Sequence, residues 1–309
     1  MRTLSKTTLL ATVAIIGILS AAQSAQAMEL WDPHLRGSDE GMAAGAALPP
    51  GVYGVMHNYW AAYDQFGPGG HKTGNKLDVL VEVPVVLWQT GYQIFGADLS
   101  MAVAQPFDYT NFKSPNTASL SDNAHWGTFN TIFIPFQLAW TLPENFHVAT
   151  NLTVYADDAT SSPGDLPGGG GIGSGNGFWT LEPSLGVSWL QDGWNLSISA
   201  HYDYNFKNHK TDYHSGQQIA VDYTVAKTLG KWTLGIGAHQ ENQLTNDSGS
   251  GAVGCAAKKG CKVVNSGIGP LIGYQFDNMA LQLTYNQNIH TQNDVAGTIL
   301  NLRLVTALN

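Results

Sequence analysis

The residues of this sequence that could carry out chemistry are ionisable side chains at alternate positions within apolar stretches. Carboxylates and imidazoles arranged in this way can line a passage and select what enters it. An acidic lining raises the energy of anions and favours neutral or cationic solutes. The alternative is that these side chains only fill and hydrate a polar interior. The candidates are Asp78, Glu82, Asp98, His147, Glu182, His201, Asp203, Asp222, His239, Glu241 and Arg303.

Motifs for catalysis or cofactor binding are absent from the sequence, which has no P-loop, HExxH, nucleophile elbow or EF-hand spacing. The one formal match is GGGGIG at 168–173, which fits G-x-G-x-x-G. A dinucleotide site needs a strand before this motif and a helix after it. Here a proline-containing loop precedes the motif and a predicted strand follows it. We therefore predict no catalytic residue, no metal site and no cofactor.

Two cysteines, Cys255 and Cys261, lie close together in a stretch rich in glycine and lysine. In an oxidising compartment, a close pair of this kind in a loop predicts a local disulfide. The alternative is half of a metal site, but no histidine or further cysteine lies nearby to complete one. We predict the disulfide.

Strands are the elements that must position these residues. From 194 to 206 the even positions are apolar, from Trp194 to Phe206, and the odd positions are polar. This alternation indicates a strand with one face in an apolar environment. Similar patterns predict twelve strands, joined by links that alternate between short and long. The predicted ranges are 51–65, 76–88, 92–106, 126–141, 145–157, 178–190, 194–207, 214–228, 232–245, 264–277, 279–291 and 296–309.

The stretch 77–87 shows a second kind of alternation. Its odd positions, from Leu77 to Leu87, are all aliphatic, whereas its even positions include Asp78 and Glu82. On the rule that barrel interiors are polar, we expect the aliphatic face to contact lipid and the two acids to point inward.

Composition and strand pattern together favour an outer-membrane barrel. Only 12% of the residues are charged and the net charge is −9, which excludes a general nucleic-acid binder. No helical pattern is long enough to connect parallel strands, so the strands are predicted to be antiparallel. A sheet that crosses lipid must close on itself to pair every backbone group. Aromatic residues gather at the short-link ends, as at a membrane interface. We predict an all-β, antiparallel transmembrane barrel of about 12 strands.

Three regions are predicted along the chain. Residues 1–27 have a basic start, an apolar stretch and a small-x-small site ending at Ala27, which indicates a signal peptide. Residues 28–47 fit no strand and form either a plug or a periplasmic segment. Inside the barrel, Arg36 would approach the acidic lining, and inward glycines near 186, 235–237 and 267–273 would contact the segment. Residues 48–309 form the barrel, in the bacterial outer membrane and in contact with its lipid.

The sequence resembles a known family over most of 48–309. The residues that carry the resemblance are LPPGVYG at 48–54 and the hairpin VEVPVVLWQTGYQIFGADLSMAVAQPF from 81 to 107. They are similar to members of the family named for the meta-pathway of phenol degradation. The resemblance implies an outer-membrane barrel that takes up small hydrophobic or aromatic molecules. It supplies no site residues.

Three functions are compatible with the sequence. The first is a channel for passive uptake of small hydrophobic or aromatic solutes, which fits a barrel without any energy-coupling domain. The second is a membrane-embedded lipid hydrolase, which needs a serine and a histidine paired near one rim. The third is a structural or adhesive surface barrel that binds a partner through its long loops. The solute, the direction of transport and the oligomeric state stay open.

Overall fold

The computed structural model of the chain describes residues 29, 31–115, 125–162, 173–256 and 261–308. The predicted signal peptide lies outside the described residues. Four short helical turns are described, at Pro68–Gly70, Pro143–Asn145, Ser250–Ala252 and Val253–Ala256. The strand segments are β1 (Gly51–Phe66), β2 (Lys72–Ile94), β3 (Ala97–Ala104), β4 (Phe107–Lys113), β5 (His125–Thr128), β6 (Ile132–Thr141), β7 (Phe146–Tyr155), β8 (Thr180–Gln191), β9 (Trp194–Asn205), β10 (Gln218–Leu229), β11 (Trp232–Gln243), β12 (Val264–Gln275), β13 (Met279–Gln292) and β14 (Asp294–Ala307).

These segments form a closed antiparallel barrel of 12 strands. β1 pairs with both β2 and β14, which closes the sheet. β3 and β4 are two parts of one strand, because both pair with β2 and only Gln105 and Pro106 separate them. Proline cannot donate to a strand ladder, which accounts for the break there. β5 and β6 likewise follow one another, pairing with β4 and β3. The predicted fold class and strand number are confirmed.

Most short links occur where the alternation predicted them, including those after Gln191 and Leu229. The first one differs. β2 continues through the predicted link at 89–91 to Ile94, and the chain turns at Phe95 and Gly96. Both residues have positive φ, 53° and 76°, as a two-residue hairpin turn requires.

The outer face is apolar and is bounded by aromatic rings. Phe146, Trp194, Trp232 and Phe276 lie at the short-turn ends of their strands and are exposed. Leu185, Val225 and Ile236 project from the same outer face nearer its middle. An apolar band flanked by aromatic side chains is the surface that an outer-membrane barrel presents to lipid. Among the described residues, no helix is long and apolar enough to cross a bilayer.

The orientation predicted for 77–87 is wrong. Val79, Val81, Val83, Val85 and Leu87 line a cavity inside the barrel, so the even positions of β2 face outward. Asp78 is half exposed on the outside and pairs with Lys113 Nζ at 2.8 Å, and Glu82 shares its face. Both faces of β2 are largely apolar, so hydrophobicity alone cannot distinguish lipid from lumen. The rule that interiors are polar fails on this wall.

The interior has two unlike halves. The inward positions of β8–β11 and β13 are mainly polar and include Glu182, Ser199, Asp222, His239 and Asn286, all buried. The inward positions of β2, β3 and the first part of β6 are mainly aliphatic or alanine. The described N-terminal residues before β1 pack against the polar half.

Candidate functional site

The N-terminal segment, defined here as residues 31–47, runs along the lumen. At the long-loop end, Trp31 Nε1 donates to the Gly173 carbonyl at 2.8 Å. Midway, Gly37 N and Asp39 N donate to the two carboxylate oxygens of Asp222 at 3.2 and 2.9 Å. At the short-turn end, the backbone of the segment passes strands β7 and β8. Gly45 N donates to Ser188 Oγ there at 2.9 Å.

Glycines allow this close approach at two places. A Cβ on Gly186 would lie 2.2 Å from the Ala44 carbonyl oxygen, and a Cβ on Gly237 would lie 2.1 Å from Glu40 Oε2. Side chains larger than hydrogen at these positions would displace the segment. The other predicted glycine contacts are different: Cβ atoms on Gly235 and Gly269 would meet neighbouring strands.

An arginine of the segment joins it to three carboxylates. Arg36 donates to Asp294 Oδ2 at 2.7 Å and to the carboxylates of Asp32 and Glu241. Its Nη1 also donates to the Val295 carbonyl at 2.7 Å. Arg36 is 6% exposed, so these charges are held out of bulk water. Several acceptors around one buried guanidinium fix the segment in place.

Two stacked imidazoles occupy the middle of the lumen. The ring centroids of His34, on the segment, and His201, on β9, are 4.0 Å apart. His201 Nδ1 lies 2.9 Å from Glu182 Oε1, and His34 Nδ1 lies 3.6 Å from Glu182 Oε2. The Nε2 atom of each ring faces another carboxylate: Asp39 for His201, at 3.1 Å, and Asp222 for His34, at 3.7 Å.

The electrostatics of the segment follow from these contacts. Burial opposes a charge on His34, but the nearby carboxylates of Asp222 and Glu182 outweigh burial and hold its pKa well above the ordinary value. Burial also opposes ionisation of Asp39, but His201 outweighs it and lowers the pKa of Asp39. Burial raises the pKa of Glu40, which lies near His239 and Asn286. The segment therefore carries paired charges rather than isolated ones.

A second arginine contacts the backbone of the segment from the opposite side. Arg303, on β14, donates from Nη1 to the Ser38 carbonyl at 2.8 Å and from Nη2 to the Glu40 carbonyl at 3.1 Å. Glu40 accepts a hydrogen bond from Asn286 Nδ2 at 2.8 Å and lies 3.4 Å from His239 Nδ1. The polar half of the lumen is thus largely occupied by the segment.

The space that remains is a cavity of about 310 Å³. On one side it is bounded by segment residues, including Trp31, His34 and Leu35. On the other side lies an apolar wall, which we define as Val79, Val81, Val83, Val85, Leu87, Ala102, Ala104, Ile132 and Ile134. A cavity of about 150 Å³ lined by aliphatic and aromatic side chains is enough to hold benzene. The lumen therefore has room for a single-ring aromatic molecule against an aliphatic surface.

Comparison with known proteins agrees with this architecture. The model of the family described as "Putative MetA-pathway of phenol degradation" matches residues 62–304. The chain belongs to this family. No curated protein matches the chain by sequence.

Two solved structures show the same kind of fold. An outer membrane channel of Pseudomonas putida F1 is 16% identical, with a TM-score of 0.74, and the match covers 87% of this chain and 99% of that one. The translocator domain of the autotransporter NalP of Neisseria meningitidis is 9% identical, with a TM-score of 0.51, and the match covers 85% and 91% of the two chains. The family member described here is an outer-membrane β-barrel.

The predicted lumen residues of this family member fall into two groups. One group is brought together around the N-terminal segment, and its role in selecting solutes stays a prediction. The other residues lie elsewhere. Asp78 and Glu82 are on the outer face, Asp98 accepts a hydrogen bond from Gln93 beside the first short turn, and His147 lies near the Thr141 hydroxyl at the start of β7. The group around the segment comprises Glu182, His201, Asp203, Asp222, His239, Glu241 and Arg303.

Functional residues that sequence reasoning missed lie mainly in the segment and in the apolar wall. His34, Asp39 and Glu40 contact the predicted lumen residues directly. The density of charge in WDPHLRGSDE, residues 31–40, is the signal that could have marked them. The β2 part of the apolar wall is visible in the sequence as the unbroken aliphatic face of 77–87, which the rule of a polar interior places against lipid.

The two cysteines lie together in the loop between β11 and β12. Cys255 and Cys261 are buried in one cluster with Phe178 and Val263, and the two side chains interact. The structure holds both as thiols instead of the expected bridge. Their oxidation to a disulfide stays a prediction, which their proximity supports.

Proposed function

We propose that this protein is a passive channel for small hydrophobic or aromatic solutes across the bacterial outer membrane. The observation that carries the proposal is the apolar wall, because a passage for polar solutes would have no use for a continuous aliphatic surface inside the lumen. The family description points to the breakdown of an aromatic compound and supports the same class of solute.

In this proposal the N-terminal segment fills the polar half of the lumen. It neutralises and covers polar side chains that would otherwise hold water in the lumen. Desolvating an aromatic molecule is favourable only if the new surroundings are apolar. The segment therefore leaves a narrow route in which the solute moves along the apolar wall. Solutes larger than one or two rings would not fit a cavity of about 310 Å³.

The test is permeation into proteoliposomes that contain the purified protein and carry lipopolysaccharide in the outer leaflet, because a plain phospholipid bilayer lets apolar solutes pass unaided. Labelled toluene and phenol should enter faster than into protein-free vesicles, whereas glucose and glutamate should not. Deleting residues 28–47 should reverse this preference: the opened lumen should conduct small ions and admit polar solutes. The strands supply barrel closure by themselves, so heat-modifiable gel migration should show a folded truncated barrel. Equal entry of toluene with and without protein would refute the proposal.

The lipid-hydrolase alternative has one observation in its favour. Ser199 Oγ lies 2.8 Å from His201 Nε2, and His201 Nδ1 lies 2.9 Å from Glu182 Oε1, which are the contacts of a Ser-His-acid triad. However, Ser199 Oγ also donates to Asp39 Oδ2 at 2.7 Å, and His201 Nε2 faces the same oxygen. Ser199 is 3% exposed inside the lumen, away from lipid. This arrangement neither activates the hydroxyl nor presents it to a lipid ester.

A further inference from the structure

The lumen around the N-terminal segment contains more carboxylates than cations; five of these carboxylates are buried, and those of Asp32, Asp39 and Asp294 are partly exposed. Two guanidinium groups lie there, those of Arg36 and Arg303, together with the imidazoles of His34 and His201 and, farther along, His57 and His239. Even with every imidazole protonated, the carboxylates are in excess. They are those of Asp32, Asp39, Glu40, Glu182, Asp203, Asp222, Glu241 and Asp294. Unbalanced buried charge is costly, so such a cluster takes up protons or binds a cation.

One part of the cluster has the ligands and spacing of a metal site. His34, Glu182 and His201 are all buried, and one ligand atom from each lies within 4.8 Å of the other two. The distances from the two Nδ1 atoms to the Glu182 oxygens are 3.6 and 2.9 Å. In a tetrahedral zinc site with bonds of about 2.0–2.1 Å, neighbouring ligand atoms are about 3.3 Å apart. The two observed distances lie on either side of this value, one shorter and one longer.

The side chains that contact the three ligands are arranged as they are around bound metal ions. A histidine bound to a metal usually turns its second ring nitrogen toward a carboxylate, which fixes the ring and strengthens the ligand. Here both rings present Nδ1 to Glu182, while His201 Nε2 faces Asp39 and His34 Nε2 faces Asp222. Glu182 Oε2 accepts the Tyr155 hydroxyl at 2.9 Å.

A buried carboxyl group beside the site faces the Glu182 carboxylate and no described donor group. Asp203 follows His201 by two residues on the inner face of β9 and has no exposed surface. Within the described part of the chain, neither of its carboxylate oxygens accepts a hydrogen bond, and His34 Nε2 also makes none. By contrast, the second acidic group, Asp32, Glu241 and Asp294, already surrounds Arg36. Among the described residues no arginine is paired with His34, Glu182 or His201, so a cation bound there would take the place of the proton that His34 otherwise carries.

We propose that His34, Glu182 and His201 bind a divalent transition-metal ion of the zinc type. Imidazole nitrogen and carboxylate oxygen are ligands that Zn²⁺ accepts readily. One ligand comes from the N-terminal segment and two come from strands β8 and β9, so the ion ties the segment to the barrel wall. All three residues line the cavity, which leaves the remaining coordination position open to water or to an oxygen atom of a solute.

The first experiment measures metal binding to the untagged, full-length protein after treatment with a chelator. Titration with ZnCl₂ in a calorimeter should show one ion per chain. His34→Ala and His201→Ala should each abolish this event, and Asp222→Asn should weaken it by about 10–100-fold. His290→Ala removes an exposed imidazole and should bind like the wild type. Co²⁺ in place of Zn²⁺ should give visible absorption bands in the wild type and not in His34→Ala.

The second experiment measures whether Zn²⁺ holds the N-terminal segment against the barrel wall. Trypsin can cleave after Arg36 only when the segment leaves the lumen, so Zn²⁺ should slow this cleavage at least tenfold in the wild type and not in His34→Ala. Because His34 lies outside the strands, its replacement should leave the barrel folded. Heat-modifiable gel migration checks the fold of each variant.

Two results would overturn the proposal. The first is wild-type protein that binds no Zn²⁺, which would mean that protons alone balance the cluster. The second is unchanged binding in every variant, which would place the ion elsewhere. Neither result depends on whether the barrel transports aromatic solutes.

Discussion

Val83 provides the sharpest test of the apolar wall. It is 8% exposed, lines the cavity from the middle of β2, and pairs with His57 of β1. Replacing it by threonine keeps the branched shape of the side chain and puts a hydroxyl where a methyl group was. The barrel should assemble normally, because the change lies inside the lumen and adds no bulk.

The magnitude follows from desolvation of the new hydroxyl. A solute that fills the cavity excludes water from residue 83 without offering a hydrogen bond in return. Burying an unpaired hydroxyl costs about 1–3 kcal/mol on the scale set by protein mutations. That corresponds to binding of toluene about 5- to 150-fold weaker. Phenol can itself donate or accept a hydrogen bond, so its binding should weaken less than that of toluene.

The assay is the initial rate of labelled toluene uptake at low concentration, in proteoliposomes that contain equal amounts of folded protein. The matched control is Val86→Thr, three residues along the same strand on the outer face, where Val86 is 49% exposed. We expect Val83→Thr to slow toluene entry and Val86→Thr to leave it unchanged. Equal rates for all three proteins would show that toluene does not cross along the apolar wall.

Three further predictions follow from the fold and the segment. In protein that lacks residues 28–47, where the lumen has room for a longer side chain, arginine at Val225, which is 52% exposed on the outer face, should destabilise the barrel by roughly 2–4 kcal/mol, whereas arginine at its inward neighbour Thr224 should leave assembly intact; urea titration with gel migration compares them, and equal losses would contradict the face assignment. Arg36→Ala leaves several buried carboxylates unpaired and should release the segment, at a cost of roughly 3–5 kcal/mol, with the barrel still folded; hydrogen exchange of the segment amides measures this, and unchanged protection would be the contrary result. Mass spectrometry of unreduced tryptic peptides should find Cys255 linked to Cys261, and two alkylatable thiols in freshly purified protein would count against the disulfide.

The barrel could be predicted from the sequence because its signal is local. In β9, apolar and polar residues alternate from Trp194 onward without exception up to Asn205, and lipid contact on one face against a polar lumen on the other produces that pattern. In β2, the same rule gave the wrong orientation, since Val81 and Val83 face an apolar lumen and Glu82 faces out. Alternation identifies two faces, but their surroundings decide which one is inside.

The candidate site could not be assembled from spacing. The contact between Arg36 and Glu241 joins residues 205 positions apart, and that between Ser199 and Asp39 joins residues 160 positions apart. Such pairings depend on how the segment is threaded through the closed sheet. Charge was still informative: a segment with both signs of charge beside an acidic lumen suggested that Arg36 would meet carboxylates. Its actual partners came only from the three-dimensional arrangement.

An aromatic solute bound within the barrel can be located directly by crystallography. Crystals soaked with bromobenzene can be examined at the bromine absorption edge, where anomalous scattering marks the halogen. We expect a bromine peak inside the lumen, within contact distance of Val81 and Val83 and on the side of the cavity opposite His34. The peak should disappear in a Val83→Trp variant that fills the space. Bromine only on the outer surface, among the lipid-facing side chains, would show that the solute does not travel along the apolar wall.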